Sequence, residues 1–263
     1  IEIDRENKTA IVEPGMVLDH LNRALAKHGL MFPVDVSTGS RATIGGMAGN
    51  NSCGARSIRY GTMRDNVRAL EAILIDGSRH HFGSSSRDNE SNQFNQQLCD
   101  IGDKYAEEVA RRFPDVQRRV GGYNIDALAR SPNGINNLAH LLVGSEGTLA
   151  YFERIQLHLS TIPSHKVLGV CHFPTFYAAM DSAQHIVKLG PSAVELVDRT
   201  MIELALDIPM FRDVIGQIVV GQPDALLLVE FSGDDFDTQL QGLKQLQELM
   251  SDLGFSGGVT EAL

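Results

Sequence analysis

The chain has 263 residues, 43% of them hydrophobic and 21% charged, the balance of a soluble globular protein long enough for one large or two ordinary domains. A net charge of −10 and a pI near 5.3 argue against a nucleic-acid partner, whose interface wants a broad basic face. No apolar run approaches a membrane span, no basic-then-apolar leader follows Ile1, and Cys53, Cys99 and Cys171 are too scattered for a disulfide framework or a zinc site, so the expectation is a cytoplasmic protein without bound metal.

Residues 1–12 (IEIDRENKTAIV) read as two short strands around Asn7-Lys8. Glu13-Pro14-Gly15 turns the chain into an amphipathic helix with Leu18, Leu21 and Leu25 on one face, His20 and His28 on its surface, and Gly29 as its stop. The stretch from Pro33 to Gly61 then carries Gly45, Gly46, Gly49, Gly54 and Gly61 with Asn50, Asn51 and Ser52. Between Arg41 and Arg64 stand Arg56 and Arg59 and no acidic residue, a basic island in an acidic chain. Scarce side chains let successive amides converge on an anion, and a pyrophosphate suits such a nest. A plain tight turn fits the same composition. Neither a P-loop ending nor a G-x-G-x-x-G fingerprint is present, so the residues alone lead to a phosphate cradle and no further.

Val67–Ile75 reads as a strand, with Asp76-Gly77 the hairpin turn and Ser78–Phe82 the return. His80 and His81 fall on opposite faces of that return and cannot share a metal. After a polar loop over Ser84–Asn92, a helix runs to about Phe113 with Phe94, Leu98, Ile101, Tyr105 and Val109 along one side and Pro114 ending it. Gly121–Arg130 (GGYNIDALAR) leads into a turn at Pro132-Asn133-Gly134. Gly144-Ser145-Glu146-Gly147-Thr148 is a second glycine loop, in which Glu146 also reads as a cap for nearby amides. Thr161-Ile162-Pro163-Ser164 marks a boundary, giving domains 1–162 and 163–263. Beyond it, strands at Val167–Phe173, Ala193–Val197 and Ala225–Phe231 alternate with helices at Phe176–Leu189, from Thr200, and at Asp237–Leu253, an α+β pattern containing βαβ units. Glu195 and Asp198 stand at a strand end that suits a substrate contact, while Asp198 reads rather as a helix cap.

The string ATIGGMAGNNSCGARSIRYGTMRDNVRALEAILIDG resembles the second half of the FAD-binding domain of FAD-linked oxidases of the vanillyl-alcohol-oxidase type. Within that family it is similar to the D-lactate dehydrogenase, glycolate oxidase and D-2-hydroxyglutarate dehydrogenase branch. EPGMVLDHLNRALAKHGLMFPVD upstream, and GYNIDAL and LLVGSEGTLAYFERIQLHL downstream, follow in the family's order over the first three-fifths of the chain. The resemblance implies an α+β architecture, the second part of such an FAD-binding domain followed by an incomplete ferredoxin-like cap. It implies FAD contacts at Pro33, Asp35, Thr43, Ile44, Gly45, Gly46, Asn50, Gly54, Gly61, Glu146, Gly147 and Thr148. It further implies oxidation of a D-2-hydroxy acid to a 2-oxo acid, with hydride passing to the flavin and electrons leaving to a quinone, a cytochrome or an iron–sulfur partner. The NNSCG variant resembles members fused to iron–sulfur modules.

Two departures stand out. The family's upstream P-x-G-G-G-T pyrophosphate loop and its late His-rich motif have no counterpart among these residues, and no catalytic base is identifiable. The expectation is an excerpt of a larger flavoenzyme that binds FAD weakly and does not turn over. Rival readings are a non-catalytic nucleotide- or phosphate-binding module, and another flavin enzyme of the fold such as a sugar-nucleotide reductase or an aryl-alcohol oxidase.

Overall fold

The structure, a computed structural model, describes residues 1–85, 93–129 and 136–262. It divides into two compact units, Ile1–Ile162 and Pro163–Leu263.

In the first unit β1 (Glu2–Asp4) and β2 (Thr9–Val12) form a hairpin whose turn is tied by Asn7 donating to the Asp4 carboxylate. Helix α1 (Leu18–Ala26) buries Leu18, Leu21 and Leu25, the face its leucine spacing predicts, and Gly29 follows at φ +69°. β3 (Leu30–Met31) leads into the glycine-rich stretch. Here the structure departs from the expected open loop, because Ile44–Asn50 is a helix, α2. Glycine disfavours a helix interior by about 1 kcal/mol per residue, and packing overrides it. Thr43 caps the first turn by accepting from the Gly46 N–H, and Ile44, Met47 and Ala48 are buried. Asn51 ends the helix in the left-handed region at φ 51°.

Two short helices follow, α3 (Ser57–Tyr60) and α4 (Met63–Asn66), then β4 (Val67–Ile73) and β5 (Arg79–Phe82). Their turn is held by Gly77 at φ +82° and by Asp76 accepting from Ser78. His80 packs on Phe94 while His81 is exposed, as opposite faces require. β6 (Ser84–Ser85) precedes α5 (Gln93–Arg112). The buried positions of α5 are Cys99 and Gly102, whereas Ile101 and Tyr105 of the expected stripe are 44% and 45% exposed. The helix turns its small residues inward because a Cβ on Gly102 would stand 2.3 Å from the Leu128 backbone. A 3-10 turn covers Ile125–Leu128, followed by β7 (Asn136–Asn137), α6 (Ala139–Leu142), β8 (Tyr151–His158) and β9 (Ser160–Thr161). The main sheet runs β1-β2-β8-β4-β5, antiparallel throughout. The sequence-predicted turn at Pro132-Asn133-Gly134 and most of the polar loop at Ser84–Asn92 lie outside the described residues.

The second unit contains β10 (His165–Phe173), α7 (Phe176–Ile186), β11 (Ala193–Asp198), α8 (Arg199–Asp207), α9 (Pro209–Ile218), β12 (Ala225–Gly233), α10 (Phe236–Asp252) and β13 (Val259–Ala262). Its sheet order is β11-β12-β10-β13, with every pair antiparallel. β10 and β11 are therefore parallel with β12 between them, the split βαβ plan of ferredoxin-like domains. Asp198 caps α8 through the Met201 N–H. Helix α9 and strand β13 are absent from the sequence reading. α9 begins at Pro209, two residues past the end of α8, and buries no side chain, and β13 is short and follows Gly257-Gly258.

Candidate functional site

The two glycine segments, remote in sequence, meet in the first unit. The Gly144 N–H donates to Ala48 O and the Glu146 N–H to Gly49 O, which sets the second loop against the C-terminal half of α2. Between them opens a cleft of about 410 Å³ lined by Pro14, Gly45, Gly46, Gly49, Glu146, Gly147, Ala150, Tyr151 and Phe152. Four of these nine carry no side chain, so close to half of the lining residues present bare main chain. A Cβ on Gly147 would meet nothing within 4 Å, and one on Gly49 would come 3.9 Å from the Gly147 nitrogen, narrowing the space between the walls. Such a surface admits a ligand that must lie close to backbone, as a dinucleotide does.

Of the residues predicted to contact FAD, Gly45, Gly46, Glu146 and Gly147 line this cleft. Asn50 Nδ2 donates to Glu146 Oε1 at 3.0 Å, and Thr148 Oγ1 lies 2.7 Å from the Tyr123 hydroxyl. Thr43 caps α2, and Ile44 is wholly buried in the core. Pro33 is buried outside the cleft. Asp35 and Gly54 belong to a packing contact: a Cβ on Gly54 would fall 1.6 Å from Asp35 O, and Asp35 Oδ1 accepts from the Arg56 N–H. Gly61 at φ +73° ends α3 against the Asp65 carboxylate. Pro14, Gly49, Ala150, Tyr151 and Phe152 also line the cleft and are not among the FAD contacts that the resemblance implies. Only Gly49 carried a signal, as one more glycine in the run.

Two features of the expected nest differ. The amides at the start of α2 are already taken, Ile44 by Met16 O, Gly45 by Pro14 O, Gly46 by Thr43 Oγ1 and Met47 by Thr43 O. The N–H groups of Cys53, Gly54, Ala55 and Gly147 donate to no group among the described residues. The basic island also disperses, since none of Arg41, Arg56, Arg59 and Arg64 lines the cleft.

Arg64 enters instead a polar network behind it. Arg64 Nη1 donates to Asp126 Oδ2 at 2.8 Å and to Asn124 Oδ1 at 3.2 Å, while Arg119 Nη2 lies 2.6 Å from Asp126 Oδ1 and its guanidinium stacks on Phe113. Burial works to raise the Asp126 carboxyl, but hydrogen bonds and charge from Arg119 and Arg64 outweigh it and hold the group below its ordinary range. His140, close by, is pushed below its ordinary value by burial and by the Arg64 charge. Cys171 in the second unit is pushed up to about 12 by burial, which makes it an inert core thiol. Among the described residues no group of three His, Cys, Asp or Glu could hold a metal, and no helix is long and apolar enough to cross a membrane.

Residues 1–83 match the family described as FAD binding domain, and residues 162–262 match FAD linked oxidases, C-terminal domain. The chain belongs to the FAD-linked oxidases. It is 31% identical over 248 residues to the D-2-hydroxyglutarate dehydrogenase of Pseudomonas putida, covering 89% of this chain and 24% of that protein. It is 33% identical over 199 residues to the mitochondrial D-lactate dehydrogenase [cytochrome] of Arabidopsis thaliana, covering 75% and 27%. Among solved structures, an alkyldihydroxyacetonephosphate synthase aligns with all of this chain and 42% of its own at a TM-score of 0.65 and 17% identity, a likeness of fold. The chain thus spans about a quarter of the length of these two dehydrogenases. The cofactor of this family is FAD, and the bare-backbone cleft is the feature here that fits it.

Proposed function

We propose that residues 1–162 supply one wall of an FAD site and that the activity it serves is oxidation of a D-2-hydroxy acid to the 2-oxo acid. The observation that carries this reading is the convergence of Gly45, Gly46, Gly49 and Gly147 on one cleft. At the cleft the Gly147 N–H is the donor left for the cofactor's anionic or carbonyl groups. The Glu146 carboxylate, held by Asn50, is an acceptor for a ribose hydroxyl and repels a phosphate set against it. Pro14, Tyr151 and Phe152 give the same cleft an apolar side that excludes water. The flavin, when bound, supplies the hydride acceptor for the C2–H of the substrate. Electrons then leave to a quinone, a cytochrome or a fused iron–sulfur module, and the setting is the cytoplasm.

Titration of FAD with this chain, followed by quenching of flavin fluorescence, tests the site. Saturable binding that is lost in Gly49→Val and Gly147→Val is expected, and equal binding by both variants and the parent would sink the assignment. Anaerobic addition of D-2-hydroxyglutarate, D-lactate or glycolate to the FAD-loaded full-length enzyme should bleach its visible flavin band with one of the three. Bleaching by none removes the substrate class.

A further inference from the structure

Beside the cleft, residues 123–126 grip both of its walls. On one side the Tyr123 hydroxyl meets Thr148 Oγ1 at 2.7 Å, and Asn124 Nδ2 donates to Val143 O at 2.8 Å, so the second glycine loop is held from both ends. On the other side Asp126 anchors Arg64 and Arg119. The Arg64 N–H donates to Asn51 Oδ1 at 2.9 Å, and Asn51 Nδ2 donates to Arg119 O at 3.4 Å. Asn51 is 1% exposed and occupies the left-handed turn that ends α2. The two grips converge, because a Cβ on Gly144 would come 3.2 Å from Asn51 Cβ.

We propose that Tyr123, Asn124 and Asp126 form a clasp that fixes the separation of Gly49 and Gly147, with Asp126 a positioning residue for cofactor binding. Asp126 does not line the cleft, so it acts through Arg64, Arg119 and Asn51. The physical basis is rigidity. Charge-assisted hydrogen bonds in a half-buried setting are stronger than neutral ones, and they restrain a left-handed asparagine that otherwise relaxes. Where the cleft is faced by glycine, at Gly45, Gly46, Gly49 and Gly147, no side chain is there to adapt, so a small drift of that wall removes contacts outright.

The inference rests on the proposed FAD site, and two readouts keep the two apart. Asp126→Asn, nearly isosteric and uncharged, should weaken FAD binding about tenfold, the loss expected when a hydrogen bond loses its charged partner. By hydrogen exchange, the same variant should lose protection at the Gly144 and Glu146 amides, which bridge the walls, while the Leu74 amide of the distant hairpin keeps its own. Asp126→Glu should recover both, which a general loss of stability would not predict. Tyr123→Phe, at a half-exposed position that tolerates the change, carries the same two readouts should Asp126→Asn fail to fold. Unchanged protection and affinity in a folded variant overturn the clasp, as does protection lost equally at Leu74. A parent chain that binds no FAD removes the proposed function, and the exchange pattern then decides the clasp by itself.

Discussion

Glycine at position 54 shows how one missing methylene group can fix a local path. Its Cα lies so close to Asp35 that an added Cβ would overlap the carbonyl oxygen at 1.6 Å, and backbone cannot yield as a side chain can. Gly54→Ala should therefore cost about 3 kcal/mol, the upper end for overpacking, measured as a lower denaturation midpoint at unchanged slope. Titrating groups at this scale set the response to acid. His140 has its pKa lowered from 6.5 in the folded state, so the unfolded chain takes up a proton that the native protein refuses. Stability from this group is full above 6.5 and declines as the pH falls toward the lower folded value. His158, lowered by burial and by the Arg68 charge, acts in the same direction. Asp126 adds stability that is present above 3.8 and is lost further into acid, as pH falls through its depressed folded value. Equilibrium unfolding at stepped pH should show the first decline just below 6.5, and His140→Gln should flatten it.

Among the elements, helix α2 has poor intrinsic propensity and depends on its cap and its buried face. Thr43→Ala should cost about 1 kcal/mol in unfolding free energy, a normal cap loss, and a value near zero would show that packing alone holds the turn. This helix is also where the sequence was hardest to read. The leucine spacing of α1 and the Asp76-Gly77 turn are local signals, and the structure follows both. In α2 the glycines that point to a loop are tolerated because Ile44, Met47 and Ala48 bury the opposite face, a tertiary effect no single window displays. On α5 the large apolar residues point to one stripe, yet Gly102 decides the contact because only it lets the backbone of Leu128 approach. The candidate site divides in the same way. Gly45, Gly46, Glu146 and Gly147 stand in visible glycine clusters, whereas Pro14, Tyr151 and Phe152 join them only through the fold. The pairing of Arg64 with Asp126 spans 62 residues and leaves no periodic trace.

For the molecule as a whole, each unit has a core of its own. That of Pro163–Leu263 is built from β10, β12, α7 and α10, with Val229, Ile186, Leu246 and Met250 wholly buried. A chain of residues 163–263 should give a cooperative thermal transition and native-like amide dispersion, and a broad, featureless melt would refute its independence. Ile1–Ile162 is organised differently. Its sheet places β8, residues 151–158, between β2 and β4, so the two earlier parts of the sheet share no hydrogen-bonded neighbour until that strand arrives. During synthesis the β1–β2 hairpin and the β4–β5 hairpin must wait on the ribosome as separate pieces, each too small to persist alone in water. The keystone is the last long strand of the unit to emerge, so the five-stranded sheet closes only once residues 151–158 are made.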